Sequence, residues 1–319
     1  MADIAKRIRP LTKEDALRSY QELKDFKCTK TFGKTREGQK ALDYFFFKNR
    51  LAAKTKRHLS FLNALKNKKT FKYLKNKTRK IKKYDLLSSK KKPDNVLKNQ
   101  YGVFQLYYGT INQFRPATAK TLYCLLNPKV GILDFSSGWG GRCLAAMSLG
   151  IPYYGFDANK KLEKGYTDMV RMLDPEAPVK MTFKPSETAD FSKLKYDLVF
   201  TSPPYFMLEE YEGMPAYEKE QGFLDTFFVP VLKKAWAGLA VGGHMALNMP
   251  ADMYEPIKKC LPRLHKTIKM PIMDRRAEEA AKGEDVAVGS REKFEYIYVW
   301  KKVAGAKFDE EKKGCGVAV

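Results

Sequence analysis

Ser202-Pro203-Pro204-Tyr205 closes the apolar run Tyr196–Thr201. Two consecutive prolines lack an N–H and fix φ, so a strand ladder cannot continue through them. Backbone carbonyls are left facing the space beyond the sheet edge, with a hydroxyl before the prolines and an aromatic ring after them. That set suits a flat, amino-bearing ring: oxygens accept from the NH2 group and the ring stacks on the tyrosine. A Pro-Pro turn after a buried strand reads the same locally, so the residues upstream must decide.

Upstream, residues 130–142 (Val-Gly-Ile-Leu-Asp-Phe-Ser-Ser-Gly-Trp-Gly-Gly-Arg) read as a strand, a glycine turn and the start of a helix. The helix runs to Gly150, and the strand Tyr153–Asp157 follows. Strand, Gly-rich turn, helix and a second strand tipped by an acid make a nucleotide-binding βαβ unit. Glycines allow the backbone to approach a ligand, and Asp157 can accept from two ribose hydroxyls. The dinucleotide fingerprint G-x-G-x-x-G fails at its third glycine, where Cys143 stands. Asp134 would sit badly beside a pyrophosphate but well near a cationic amino-acid head. The pattern therefore favours S-adenosylmethionine over a nicotinamide or flavin.

From about Tyr101 to Lys302 the chain resembles the S-adenosylmethionine-dependent amino-methyltransferases, which methylate exocyclic nitrogens of cytosine or adenine in nucleic acids. The resemblance implies a cofactor loop from Asp134 to Arg142 that includes Ser136, Gly138, Trp139, Gly140 and Gly141. It implies a ribose acid at Asp157, an adenine-contacting segment at Ser186-Glu187, and a catalytic motif at Thr201-Ser202-Pro203-Pro204-Tyr205. The stretch 113–120, with Phe114 and Arg115, is similar to the segment covering the methionine part of the cofactor. Residues 239–248, with Gly242 and Gly243, match the helix–Gly-Gly–strand that follows the catalytic motif. A serine before Pro-Pro-Tyr is commoner in the N4-cytosine branch, and Asp or Asn in the adenine branch. Two departures stand out. The Gly138–Arg142 form of the turn is uncommon, and the chain after Ser202 is too short for a large target-recognition domain.

Charge is distributed unevenly. The 319 residues carry a net charge of +24, and residues 1–100 hold 30 Lys/Arg against 9 Asp/Glu. From Lys48 to Lys92 there are 18 basic residues and one acid, Asp85, with Phe61, Phe71, Tyr73 and Tyr84 among them. Such a segment neutralises phosphates, and its aromatics can stack on bases or pack a small core. A solvated lysine-rich linker is the alternative, above all for Lys75–Lys92, and Lys77–Lys83 also matches a nuclear import signal. Five cysteines (Cys28, Cys124, Cys143, Cys260 and Cys315) in an odd number without CxxC spacing suggest reduced thiols in a soluble, intracellular, non-secreted protein. Three scattered histidines argue against a metal site. Neither a signal peptide nor a membrane-spanning run is expected.

These features require supporting elements. Helices are expected at 12–26 (with Leu17, Tyr20 and Leu23 on one side), 38–55 and 57–66. Strands are expected at 130–136, 153–157, 179–185, 196–202, 243–249, 266–273 and 293–301, with helices at 141–149, 159–173, 221–240 and 253–263. The alternation implies an α/β fold: a class I methyltransferase, Rossmann-like, doubly wound sheet with an antiparallel last strand. A basic, mostly helical nucleic-acid-binding region (1–100) precedes the catalytic domain (101–302), and a disordered tail (303–319) follows it. Asp134, Asp157, Ser186 and Ser202 all end strands, so they fall on one rim. Loops 206–221 and 274–291 are expected to flank that rim; the first is read as closing over the substrate and the second as facing nucleic acid, with a disordered connection the equal alternative for each.

The expected chemistry is direct transfer of a methyl group to an exocyclic base nitrogen in DNA, with cytosine N4 favoured and adenine N6 possible. Two alternatives are the same chemistry on RNA, at adenine N6 or guanine N2, and a nucleic-acid-binding structural protein without turnover. The absence of Pro-Cys beside the site disfavours carbon-5 methylation of cytosine.

Overall fold

The computed structural model describes residues 2–29, 32, 35–55, 57–80, 93–205, 220–271, 294–309 and 315. Ahead of the first strand come α1 (Ala2–Ile8), α2 (Lys13–Asp25), α3 (Gln39–Ala52), α4 (Phe61–Lys66), α5 (Lys68–Lys80), α6 (Pro93–Tyr108) and α7 (Pro116–Leu126). Then follow β1 (Ile132–Asp134), α8 (Gly141–Ser148), β2 (Tyr153–Phe156), α9 (Glu163–Leu173), β3 (Val179–Thr182) and β4 (Tyr196–Thr201). The rest comprises α10 (Glu220–Phe223), α11 (Val229–Gly238), β5 (Leu239–Asn248), α12 (Ala251–Tyr254), β6 (Lys266–Pro271) and β7 (Phe294–Lys301). Expected loop residues 206–219 and 274–291, linker residues 81–92 and tail residues 310–314 and 316–319 lie outside the described residues.

Among the described residues the strands form one seven-stranded sheet in the order β3-β2-β1-β4-β5-β7-β6. β1 to β5 pair in parallel, and β7 lies antiparallel between β5 and β6. This is the expected Rossmann-like, doubly wound sheet with an antiparallel last strand. The central strands are buried on both faces, as parallel strands between two helical layers must be. Along β4, Leu198 and Phe200 enter the core on one face of the sheet and Val199 the core on the other.

The helices before β1 are built into this architecture. A capping box opens α2: Asp15 N donates to Thr12 Oγ1 and Thr12 N to the Asp15 carboxylate, each at 3.1 Å. Ala16, Tyr20 and Leu23 enter the sheet-side core, whereas Leu17, expected on the buried side, is exposed. On α3, Leu42, Phe45 and Phe46 (spacing i, i+3, i+4) join the same core. Phe47 and Leu51 instead join a separate helical cluster with Ile8, Phe61, Leu62, Leu74, Leu97, Tyr101 and Phe104. One helix thus belongs to both hydrophobic bodies. The sequence pattern assigns no helix between 101 and 129, where the second half of α6 and all of α7 lie.

Two expectations are corrected. Cys28 is bonded to Cys124 and Cys260 to Cys315, while Cys143 remains a buried free thiol. The partners are 96 and 55 residues apart, so spacing could not reveal them, and the thiol argument for a reducing compartment falls away. The residues after Ala304, expected to be unstructured, are tied down where described. Ala306 and Phe308 pack on the second core, the Trp236 indole donates to Ala306 O at 3.3 Å, and Asp309 N donates to Cys260 O at 2.8 Å. Apolar side chains in that stretch have a buried face to cover. No helix among the described residues is long and apolar enough to cross a membrane.

Candidate functional site

Parallel pairing brings the predicted residues to one rim. β1 lies between β2 and β4, with Asp134 opposite Gly155 and Leu133 opposite Val199. The carboxyl ends of β1, β2 and β4 therefore carry Asp134, Asp157 and Thr201-Ser202 on the same edge. Two strand spacings, about 10 Å, separate the ends of β2 and β4.

The glycine turn divides into parts that face the protein and one that faces outward. Gly140 has φ +80°, and a Cβ there would lie 2.8 Å from the Phe46 ring of α3. A Cβ on Gly141 would collide with the Phe114 carbonyl. These two glycines let α3 and the segment 113–115 close on the start of α8. Gly138, with φ +57°, has open space where a Cβ would be: its nearest neighbour, Ser136 O, is 4.0 Å away. Here alone in the turn can a ligand approach bare backbone. Trp139 is buried in the sheet-side core.

Asp134 does not face a ligand. Its carboxylate is fully buried and accepts from Arg142 Nε at 2.6 Å, Arg142 Nη2 at 3.3 Å, the Tyr153 hydroxyl at 2.5 Å and Ser136 N at 3.2 Å. The Arg142 guanidinium also donates to Ser136 O and lies over the rings of Phe114 and Phe200, 5.6 and 5.9 Å from their centroids. This corrects the expectation that Asp134 meets a cationic head and that Arg142 is a cofactor contact. The two satisfy each other, and their pair braces the turn. Burial pushes the Tyr153 phenol well above its ordinary pKa, so it stays a hydrogen-bond donor to Asp134.

Asp157 is the available acid. It keeps partial solvent exposure at the end of β2. Its Oδ2 accepts from Gly138 N at 2.7 Å and its Oδ1 from Asn159 N at 2.9 Å. A carboxylate has about four acceptor sites, so both oxygens can accept further donors. Burial pushes its pKa up to about 6, against the pull of the Asn159 and Gly138 N–H groups. The sign follows directly. The folded chain holds this proton more tightly than the unfolded chain, so the group favours folding at low pH, and that contribution is lost as pH rises through about 6. Relative to Asp157→Asn, the wild type should therefore lose stability between about pH 4 and pH 7. Melting temperatures of both proteins across that range test this, and a difference independent of pH would refute it.

Ser186 turns inward, its hydroxyl donating to Phe135 O at 2.5 Å, while Glu187 remains half-exposed. The Lys234 ammonium closes this 3₁₀ turn by donating to the carbonyls of Ser186 (3.1 Å), Glu187 (2.7 Å) and Ala189 (2.8 Å). At the end of β4, Thr201 Oγ1 is buried without a hydrogen-bond partner. Beyond it, Ser202, Pro204 and Tyr205 are partly exposed and Pro203 is buried. The Phe114 ring meets Phe200 edge-on, 5.2 Å between centroids, one residue before Thr201. Arg115 is the half-exposed N-cap residue of α7.

Sequence reasoning gave no site role to Asp43, Phe46, Tyr153 and Lys234, each of which braces this rim, and included Gln113 only as the first residue of the segment 113–120. One signal was available: Asp43 is an acid inside the apolar stretch Ala41–Phe47, a position that demands a buried partner. Burial raises the pKa of Cys143 well above its ordinary value, leaving it protonated. Among the described residues no group of three His, Cys, Asp or Glu side chains is arranged to hold a metal.

No family model matches the chain, and no curated protein matches it in sequence. Solved structures with a similar chain path include TrmN from Thermus thermophilus, 18% identical, with a TM-score of 0.42 over 59% of this chain and 49% of that one. This chain thus spans about half the length of TrmN. An rRNA methylase from Streptococcus thermophilus is 11% identical, with a TM-score of 0.39 over 61% of this chain and 99% of that one. NSun6 from Pyrococcus horikoshii, solved with SFG, is 14% identical, with a TM-score of 0.38 over 63% of this chain and 54% of that one. With TM-scores below 0.5, none of the three bears on the chemistry of this chain.

Proposed function

We propose that this protein transfers a methyl group from S-adenosylmethionine to an exocyclic amino nitrogen of a nucleic-acid base, with cytosine N4 in DNA the first candidate. The observation that supports it is the shared rim: an acid at the end of β2 beside the open Gly138 backbone, and Ser202-Pro203-Pro204-Tyr205 two strands away. The residues present fit the cofactor. Asp157 has acceptor capacity for two ribose hydroxyls, the half-exposed Glu187 is left for the adenine, and Gly138, Phe114 and Arg115 border the remaining length. Asp134, Arg142, Ser186, Trp139, Gly140 and Gly141 build this surface from behind, with Ser136 at its edge.

When bound, S-adenosylmethionine supplies an activated methyl group on a sulfonium. The chain's own task is to align an amine with it and to exclude water. An exocyclic amine is a poor nucleophile because its lone pair is delocalised into the ring. Ser202 Oγ and the Pro203 carbonyl accept its two N–H bonds, which favours a pyramidal nitrogen and spreads the positive charge that develops. Tyr205 stacks on the base. A base in a duplex must first be extruded from the stack.

The polyanionic partner binds at α5 in this reading. Along that helix Lys68, Lys72, Lys75 and Arg79 (i, i+4, i+7, i+11) are exposed in a row, and no acid lies between Lys66 and Lys80. The row is about 16 Å long. Phe71 and Tyr73 are exposed beside it, and the Lys77 ammonium rests over the rings of Tyr73 and Tyr107, 5.6 and 5.2 Å from their centroids. Replacing Lys68, Lys72 and Lys75 by alanine should weaken binding to duplex DNA. The log–log salt slope should become shallower by about 0.9 for each phosphate that is no longer neutralised. Titrations at several salt concentrations read both quantities, and an unchanged slope would place the nucleic acid elsewhere.

The deciding experiment is labelled-methyl transfer to DNA and to RNA, followed by mass spectrometry of the nucleosides. N4-methylcytosine in DNA is expected. N6-methyladenine would change the base, label confined to RNA would change the polymer, and no methylated nucleoside in either would overturn the proposal.

A further inference from the structure

Asp43 lies outside the rim, yet its position accounts for how one wall of the rim is held. Its carboxylate is buried in the middle of α3, where an ion without partners would be costly. Four donors from three parts of the chain converge on it. Arg9, just after α1, donates to Oδ2 and Arg50, in the last turn of α3, to Oδ1. Gln39 Nε2 donates to Oδ1 at 3.1 Å, and Gln113 Nε2 donates to the same oxygen at 3.3 Å. The two guanidinium groups lie over the Phe47 ring, 4.3 and 5.4 Å from its centroid. Burial lowers the Arg50 pKa to about 10, which leaves it charged and bound to this acid.

Gln113 is the donor that leads to the rim. It lies in the segment 109–115 that joins α6 to α7, and it immediately precedes Phe114. The Phe114 carbonyl rests on Gly141 at the start of α8, so closely that any side chain there would strike it. The Phe114 ring lies against Phe200, one residue from Thr201, and under the Arg142 guanidinium. Gln113 has no second side-chain anchor of its own: its Oε1 is buried without a partner. The bond to Asp43 therefore holds the Gln113 side chain and, with the Phe114 ring contacts, helps set where residues 113–115 cross the glycine turn.

We propose that Asp43 is a positioning residue for the cofactor: through Gln113 it seats the segment 113–115 against the turn that receives S-adenosylmethionine. The inference rests on the proposed cofactor reading. Removing the anchor leaves the base-gripping residues Ser202 and Tyr205 in place while the wall beside the cofactor loosens. Affinity for the cofactor then falls, and turnover at saturation does not.

Gln113→Ala is the informative variant, because it leaves the ion pairs of Asp43 with Arg9 and Arg50 intact. Calorimetric affinity for S-adenosylmethionine should fall about tenfold, the usual effect of losing a hydrogen bond to a charged group. KM for the cofactor should rise by a similar factor with kcat unchanged. Amide hydrogen exchange at Phe114 and Gly141 should quicken in the cofactor-free protein, a readout independent of activity. Asp43→Ala should weaken the cofactor at least as much, and the Asp43→Ala/Gln113→Ala double variant no more than Asp43→Ala alone. An unchanged affinity in Gln113→Ala, or losses that multiply in the double variant, would overturn the proposal. Should Asp43→Ala not fold, affinity and exchange in Gln113→Ala decide alone. Wild-type protein that binds no S-adenosylmethionine would instead refute the cofactor reading itself, so the two failures are told apart.

Discussion

Ser202→Ala should slow methyl transfer about a hundredfold or more, with affinity for S-adenosylmethionine nearly unchanged. In the proposed reading the hydroxyl accepts from the nitrogen as positive charge develops on it, and removing one oriented polar group of that kind typically costs a factor of about 10² to 10³. In the same reading the cofactor lies elsewhere, against Gly138, Asp157 and the segment 113–115, so its binding should not register the loss. Tyr205→Ala should behave differently. It removes a stacking surface worth about 1–3 kcal/mol per base, so the nucleic-acid KM should rise along with the fall in turnover. Steady-state kinetics on both substrates, with calorimetry for the cofactor, separate these outcomes. Full turnover in both variants would remove the tetrapeptide from the reaction.

Arg142→Met should be the most damaging single change to stability. Asp134 is fully buried, and Arg142, hardly more exposed, is its counter-ion. Removing one partner of such a pair leaves an uncompensated buried charge, at a cost of about 3–5 kcal/mol. The Asp134→Leu/Arg142→Met double variant should recover part of that loss, since apolar replacement of a whole buried pair is often neutral. Denaturant unfolding of the three proteins measures both effects. If Arg142→Met kept wild-type stability and lost only cofactor affinity, the guanidinium would be a ligand contact after all. The turn would then have to open more than its hydrogen bonds imply.

These two expectations draw on different layers of the same rim. Ser202 and Tyr205 are identifiable from the sequence because strand termination is local: a run of apolar residues followed by two prolines has one physical meaning wherever it occurs. Asp157 is identifiable for the same reason, as the polar tip of a short buried strand two elements after a glycine turn. Asp134 looks equivalent in the sequence, being an acid at the end of β1. What separates the two acids is Arg142, the second residue of α8, and Tyr153 at the start of β2, which together take up the first carboxylate, whereas the second accepts only from backbone N–H groups. Similarly, all three glycines of the turn suggest ligand approach, yet two of them make room for Phe46 and for the Phe114 carbonyl.

Fold class, the order of strands and helices after residue 130, and the segregation of basic charge to the first hundred residues can all be read from the chain. Hydrophobic period, turn chemistry and charge act over a few neighbours, and so they leave a local trace. Tertiary packing alone assigned α3 to two hydrophobic cores, tied Cys28 to Cys124 and Cys260 to Cys315, and joined Gln113 to Asp43 across 70 positions. Those contacts depend on where distant segments come to rest. A buried acid can be recognised in a sequence as needing a partner, but which partner it finds is settled only when the helices close around it.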